Sequence, residues 1–542
     1  MLLALSAAGG ICTFYMRRLM IGASRKMEYS IRADFFSHLQ GLDPIFFESN
    51  RTGSIMALIT NDLDAVRNFL GPGLLNFFNT VFIFVSTLIV MFTINVKLTL
   101  YALIAVPFLP IIVNRLSAML YRTFKVSQEH YALLSAHTQE SIAGIKVIKS
   151  FTQEEKEVSS FSDTNNEYVK KNMELARVRS LFWPLMILIG GIGSLVVFLV
   201  GGLQVINGQL TIGQFVQFSA YILAITWPLI SLGWVINLIQ RGEVSMGRLN
   251  KVFNMRPEIK EPDKPVQLER LTGSISFKNI SFGYPGHASY ETYEAGNKPE
   301  TNLVLKNISF DISAGTRTGI VGFTGSGKSS LVNLIPRLYD MQEGSIFIDG
   351  IDIRKFPLKV LREGISYVTQ DAFIFSKTIR ENIIFGKEEE LLRLPANELD
   401  EKILLASGLS HLHDDVINFP DGYSTLVGER GITLSGGQKQ RLAIARAIIT
   451  DPKILILDDS FSNIDTNTEE MILADLKQKA ANLTVIIVSH RISTIKDSDL
   501  IIVLDEGEIV ETGTHRELLK KCSIYQRLYK RQQLSDELHE EL

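Results

Sequence analysis

Charge is missing from a long stretch of this chain. Between Ser180 and Gln240 there is no Asp, Glu, Lys, Arg or His, whereas charges are frequent from Leu249 to Leu542. A single water-soluble globule does not distribute charge in this way, so a membrane part joined to a soluble part is expected. Cysteine is nearly absent: of 542 residues only Cys12 and Cys522 are cysteine. That excludes a disulfide framework and a thiolate metal cluster, and it suits a reducing compartment for the soluble part. The net charge of −3 gives no electrostatic reason to expect a nucleic-acid partner. A hydrophobic content of 46% and 39 glycines exclude disorder and a collagen-like repeat. At roughly 150 residues per domain, the length implies more than one domain.

A spanning helix needs about 20 apolar residues, because roughly 30 Å of hydrocarbon is crossed at about 1.5 Å per residue. Spans are expected near 70–96, 98–117, 181–205 and 212–236, the last two separated by a turn at Asn207-Gly208-Gln209. Met1–Met16 is apolar but short for a complete span. Arg17, Arg18, Arg25 and Lys26 follow it rather than precede it, the wrong polarity for a signal peptide. It reads as the end of a spanning helix that begins upstream. The charged, helix-periodic segments Arg17–Arg67 and Arg115–Arg179 are placed on the cytoplasmic side by the positive-inside tendency. The brief connections at Lys97 and Asn207–Gln209 then lie outside. Apart from Arg115 at the end of 98–117, the spans hold no charged residue, so an intramembrane proton relay is not expected to drive transport.

The soluble half carries phosphate chemistry. Gly322-Phe323-Thr324-Gly325-Ser326-Gly327-Lys328-Ser329 fits G-x-x-x-x-G-K-[ST], and it lies between an apolar strand pattern at Thr318–Val321 and a helical pattern at Ser330–Leu338. Glycines let backbone N–H groups wrap phosphates, Lys328 reaches the terminal phosphates, and Ser329 offers a hydroxyl to Mg²⁺. The helix N-terminus adds partial positive charge. Downstream, the apolar run Ile454–Leu457 delivers Asp458 and Asp459 at its end, a pattern suited to Mg²⁺ binding and water activation. His490 follows another apolar run, Val485–Val488. Alone, such a histidine is more often a packing or surface residue.

Leu434-Ser435-Gly436-Gly437-Gln438, continuing Lys439-Gln440-Arg441, resembles the signature of ABC ATPases. Other elements of that family follow in order: Tyr284 in Phe-Gly-Tyr-Pro at the adenine-stacking position, Gln370 at the Q-loop, Ser462-Asn463-Ile464-Asp465 at the D-loop and His490 at the switch position. The N-terminal half resembles the six-helix membrane domain of ABC exporters, with Phe46-Phe47, Arg51-Thr52-Gly53 and Thr60-Asn61-Asp62 in a first intracellular loop. Gln139–Ile145 and Ile148–Phe151 resemble the second.

The resemblance implies an α-helical transmembrane domain of exporter type, without its first helix, followed by an α/β P-loop ABC ATPase domain. The expected boundaries are 1–242 for the membrane domain, 243–272 for a linker, 273–530 for the nucleotide-binding domain and 531–542 for a charged tail. Short coupling helices near Asp43–Thr52 and Thr138–Lys146 would touch nucleotide domains. ATP would be held by Tyr284, Gly322, Thr324, Gly325, Ser326, Gly327, Lys328, Ser329 and Ser330, and by Ser435, Gly436, Gly437 and Gln438 of a second chain's signature. Mg²⁺ would take Ser329, Gln370 and Asp458, and catalysis would use Asp459, His490 and Gln370. Only five of the family's six spans are placed, so Met1 reads as an internal start or a truncation. His287–Thr301 is long for a strand connection and reads as a surface loop beside the adenine site.

The third departure is chemical. The family usually has Glu where this chain has Asp459. Asp is shorter by one carbon–carbon bond, roughly 1.5 Å, and a misplacement of about 1 Å can cost around 10²-fold in rate. A heterodimer with a second half-transporter is therefore favoured over a homodimer. In it, this chain's own site is slow and its signature completes the partner's site. The expected protein is an integral, multi-pass protein of the bacterial inner membrane, in contact with lipids and a hydrophobic substrate, with a cytoplasmic ATPase. A drug-like compound or a lipid suits the apolar spans equally. A non-exporting ABC ATPase and an importer component are the alternatives, and the fused, uncharged spans argue against both.

Overall fold

The computed structural model describes residues 1–103, 108–266, 271–284, 302–428, 432–479, 482–521 and 524–540. The expected adenine-side loop at 287–301 lies outside them. The chain divides into two compact units, residues 1–40 with 52–254 and residues 41–51 with 255–542.

The first unit is helical. Its long elements are Leu2–Gln40, Thr52–Ile94, Phe108–Ala143, Glu154–Val196 and Ile212–Phe253. Thr52–Ile94 is the one helix among the described residues that is long and apolar enough to cross a membrane, and only 17% of its apolar window is buried inside the protein. Phe78, Phe82 and Ile89 point outward from it. Thr80 turns inward instead and hydrogen-bonds Ser231 at 2.9 Å. Polar contacts between helices and apolar outer faces are the arrangement that lipid favours. Two shorter apolar helices, Gly191–Ile206 and Ile212–Ile225, overlap the expected third and fourth full spans.

Local chemistry sets the turns. Thr211 caps Ile212–Phe253 through a capping box with Gln214, which satisfies N–H groups that a helix start leaves unpaired. The chain turns just before it, with Gly208 at φ 70°. The connection expected at Lys97 breaks at Asn95 instead. Asn95 leaves the helical region at φ −159° and its side chain accepts the Leu98 N–H at 3.0 Å. Ile212–Phe253 also runs eleven residues beyond the expected domain end at 242, so residues 243–253 are helix rather than linker. The segment expected as the second intracellular loop breaks at Gly144, between Phe108–Ala143 and Ile145–Ser150.

The second unit contains two sheets. Strands β1 (Ile275–Phe282), β2 (Leu305–Ile312), β4 (Glu343–Ile348) and β5 (Ile351–Asp352) form a four-stranded antiparallel sheet in the order β2-β1-β4-β5. The six-stranded sheet runs β10-β9-β3-β8-β7-β6, with β3 (Arg317–Gly322), β6 (Ile365–Val368), β7 (Ile454–Asp458), β8 (Thr484–Val488) and β9 (Leu500–Asp505) parallel. The edge strand β10 (Glu508–Gly513) is antiparallel. The central strands are largely apolar because both faces are covered. Ile454 and Ile456 of β7 join the cluster shared with the antiparallel sheet, while Leu455 and Leu457 join the cluster on the opposite face. A separate cluster of Ile379, Ile383, Leu399, Ile403 and Leu442 builds a helical lobe.

Residues 41–51 belong to this second unit although they are flanked in sequence by helices of the first. Their short helix, Pro44–Ser49, buries Phe46 and packs Ile45 against the first cluster. Asp43 precedes it and accepts the Glu258 N–H at 2.5 Å. At the other end, residues 531–540, expected as a tail, continue the helix Ile524–Glu540.

Candidate functional site

The parallel strands end together. Asp458 pairs across to Val488, Gly322 closes β3, and the Ser489 N–H donates to the Ile320 carbonyl at 3.2 Å. Ligands of open α/β sheets bind at such carboxyl ends. The loop after β3 opens the helix Lys328–Asn333, and Gly327 at its N-cap sits at φ 96°. An added Cβ there would meet Leu305 at 2.8 Å, so only glycine fits. Lys328 is buried, and its ammonium donates to the carbonyls of Gly322 at 3.1 Å and Phe323 at 2.9 Å. Burial pushes that ammonium below its ordinary value, against the pull of Asp458 and Asp459. The Ser326 hydroxyl is also buried, with no partner among the described residues. An unsatisfied donor costs free energy, and a phosphate oxygen is the acceptor this loop is shaped to receive.

Ser329 donates to Asp458 Oδ1 at 3.1 Å, and the Tyr367 hydroxyl donates to Oδ2 at 3.0 Å. Burial raises the Asp458 carboxyl above its ordinary value despite these hydrogen bonds. A hydroxyl and a buried carboxylate side by side are a hard-oxygen pair that fits Mg²⁺. Asp459 follows at φ 46° and donates its N–H to Val488 at 2.9 Å. Among residues with a side chain, Asp tolerates this left-handed conformation better than most. His490 lies just past β8, and desolvation with the Lys328 cation nearby holds its imidazole below the ordinary value. Gln370 stands exposed on the bend after β6.

Tyr284 follows β1, and its hydroxyl donates to Ser330 at 3.0 Å. Thr324 and Gly325 lie in the exposed part of the phosphate loop. The signature residues lie in the helical lobe. Ser435 caps the helix Gly436–Ile448 in a capping box with Gln438, whose amide also reaches Asp415 at 3.2 Å. A Cβ on Gly437 would meet the Asn463 carbonyl at 2.7 Å. Gln440 is buried and bridges this helix to the D-loop, accepting the Asn463 N–H at 2.9 Å and donating to Ser462 at 2.8 Å. The structure thus gathers Lys328, Ser329, Asp458, Asp459 and His490 at the carboxyl end of the parallel sheet, and through Gln440 it ties the signature helix to the 462–465 loop. Tyr367 and Gln440 escaped the sequence reading. Gln440 sits inside the quoted signature run, whereas Tyr367 needs the pairing of β6 with β7 to be seen.

A phosphate loop, a cation-ready carboxylate and lipid-facing helices in one chain define a membrane-embedded, ATP-driven machine. Residues 1–229 match the family described as ABC transporter transmembrane region, and residues 305–462 match that described as ABC transporter. The chain is 36% identical over 531 residues to the "Probable multidrug resistance ABC transporter ATP-binding/permease protein YheI" of Bacillus subtilis, covering 98% of this chain and 87% of that protein. It is 32% identical to the "ATP-dependent lipid A-core flippase" of Syntrophus aciditrophicus, covering 98% of this chain and 85% of that protein. The solved structure of a bacterial Atm1-family ABC exporter with ATP bound superposes with a TM-score of 0.78 at 28% identity, covering 98% of this chain and 90% of that one.

The chain belongs to the ABC transporter family, as an exporter-type half-transporter with fused membrane and ATP-binding parts. It is an integral membrane protein that binds ATP with Mg²⁺ and couples ATP hydrolysis to export of amphiphilic substrates. ABC exporters act as dimers.

Proposed function

We propose that this chain is one subunit of a heterodimeric, multi-pass exporter in a bacterial inner membrane, with its ATPase unit in the cytoplasm. Its cargo is a drug-like amphiphile or a lipid. The names of its relatives, a multidrug resistance protein and a lipid A-core flippase, support both. In this reading Tyr284 stacks on adenine, and Gly322, Thr324, Gly325, Ser326, Gly327, Lys328, Ser329 and Ser330 cradle the phosphates. Ser329, Gln370 and Asp458 hold Mg²⁺, which neutralises charge developing on the phosphate oxygens. Asp459, Gln370 and His490 surround the attacking water, and Ser435, Gly436, Gly437 and Gln438 complete the partner's site. ATP favours the closed dimer and hydrolysis removes that bias.

The observation that carries the heterodimer is Asp459 beside an intact signature. A carboxylate shortened by one methylene orients water poorly, whereas Ser435–Gln438 are complete and firmly capped. The test is steady-state ATPase of the transporter assembled with its partner. Asp459→Asn should leave turnover nearly unchanged. Ser435→Ala combined with Gly437→Glu should remove most of it, because the new side chain collides with this chain's own Asn463 carbonyl and distorts the signature that completes the partner's competent site. Loss of hydrolysis in Asp459→Asn, or purification of an active complex containing this chain alone, sinks the heterodimer.

A further inference from the structure

The helix Ile524–Glu540 docks on the ATPase core through one face. Tyr525 is fully buried, and Ile524, Leu528 and Tyr529 pack against the cluster on the outer side of the parallel sheet. Its first N–H, at Ile524, donates to Glu511 at 2.9 Å, and the Tyr525 hydroxyl meets His515 Nδ1 at 2.7 Å. At helical spacing the docked stripe of 525, 528 and 529 continues to position 532. Gln532 stands there, a polar residue where the apolar stripe meets the switch loop.

Both ends of the Gln532 amide are used. Its Oε1 accepts the Ile492 N–H at 2.7 Å, and its Nε2 donates to the His490 carbonyl. These backbone groups flank Arg491, the N-cap of the single-turn helix Ile492–Ile495, which has no side-chain cap of its own. Such a short helix contributes little stability by itself, so an external carboxamide that satisfies the Ile492 N–H and the His490 carbonyl determines how the chain leaves β8. From within the loop, Ser489 accepts the Arg491 N–H at 2.9 Å, and the Arg491 guanidinium reaches the Ser462 carbonyl at 3.3 Å and Glu469 at 3.5 Å.

We propose that Gln532 is a positioning residue for ATP hydrolysis: from the C-terminal helix it fixes the backbone of His490 and thereby aims the imidazole at the phosphate site. The inference rests on the role assigned to His490 above. It requires one donor and one acceptor at the tip of a side chain of this length, which glutamine supplies and neither methionine nor ionised glutamate does.

The test uses the full chain assembled with its partner in lipid nanodiscs, with the partner's ATP site silenced so that the slow hydrolysis that remains comes from this chain's P-loop. Gln532→Ala and Gln532→Met should each lower kcat about tenfold, in the range that a sub-ångström to 1 Å misplacement produces, with KM for ATP changed less than about twofold. Gln532→Glu should lose at least as much, since its carboxylate faces the His490 carbonyl. Adding Gln532→Ala to His490→Ala should cost nothing further. Amide exchange at Ile492–Ile495 should rise in Gln532→Ala. Full activity in Gln532→Met would assign the side chain to packing and overturn the proposal, as would unchanged exchange in Gln532→Ala. If His490→Ala itself leaves hydrolysis intact, the reading of His490 fails, and exchange alone then decides whether Gln532 holds the loop.

Discussion

The Tyr339 hydroxyl donates a hydrogen bond to the Glu48 carboxylate at 2.5 Å. Glu48 belongs to the 41–51 segment, which is continuous at both ends with long membrane-unit helices. The Tyr339 ring packs edge-on against Tyr284, with centroids 5.2 Å apart. Burial, reinforced by the Glu48 carboxylate, pushes the Tyr339 hydroxyl far above its ordinary value, so it remains a donor at every working pH. A segment continuous with the membrane helices is thereby bonded to the aromatic neighbour of the adenine candidate.

Tyr339→Phe keeps the ring and removes that bond. ATP affinity should stay within about twofold, and stability should fall by about 1 kcal/mol. Substrate exported per ATP hydrolysed should fall. Transport and ATPase measured on the same proteoliposomes check this, and an unchanged ratio removes the bond from coupling.

Lys328→Ala should abolish measurable ATP binding, because a buried cation facing the phosphates is lost. Tyr284→Ala should weaken binding by about 1–3 kcal/mol, the size of an aromatic–base stack. Direct titration of both variants with ATP separates the two. Parent-like affinity in Lys328→Ala would refute the phosphate-loop assignment.

Asp349 gives a pH dependence. Burial raises its carboxyl, but hydrogen bonds from Thr272 and Ser274 outweigh it and hold the group below its ordinary 3.8. A depressed carboxyl contributes stability above its unfolded pKa and loses it as pH falls through the folded one. Asp349→Asn should therefore lower the melting temperature at pH 7, with the difference from the parent shrinking below pH 3.8. A pH-independent difference contradicts the linkage.

In the helical unit, Asp62 is buried, accepts from Ser245 at 2.7 Å and pairs with Arg248. Asp62→Ala leaves both donors without their acceptor and should cost about 1–3 kcal/mol, with Ser245→Ala costing less. Thermal unfolding in detergent of both single variants and the double measures their coupling. Additive losses would show that the two side chains act independently.

Contiguous chemistry was legible in the chain itself. The phosphate loop, the signature and the Asp458-Asp459 pair occupy short runs, and the uncharged stretch Ser180–Gln240 marks a membrane part by composition alone. The turn before Thr211 follows from local capping, which also depends on near neighbours. What the chain did not disclose lies across long separations. Residues 41–51 are partitioned into the ATPase unit because Asp43, Ile45 and Glu48 find partners more than two hundred residues away. Residues 243–253 extend a helix, and Gln532 lies on a docked helix face rather than in a tail. Tyr367 meets Asp458 only because β6 pairs with β7. Local sequence sets propensity, caps and the chemistry of each loop. Which buried donor meets which acceptor is decided only when strands pair and cores close, because a polar group removed from water must find its partner wherever packing brings one.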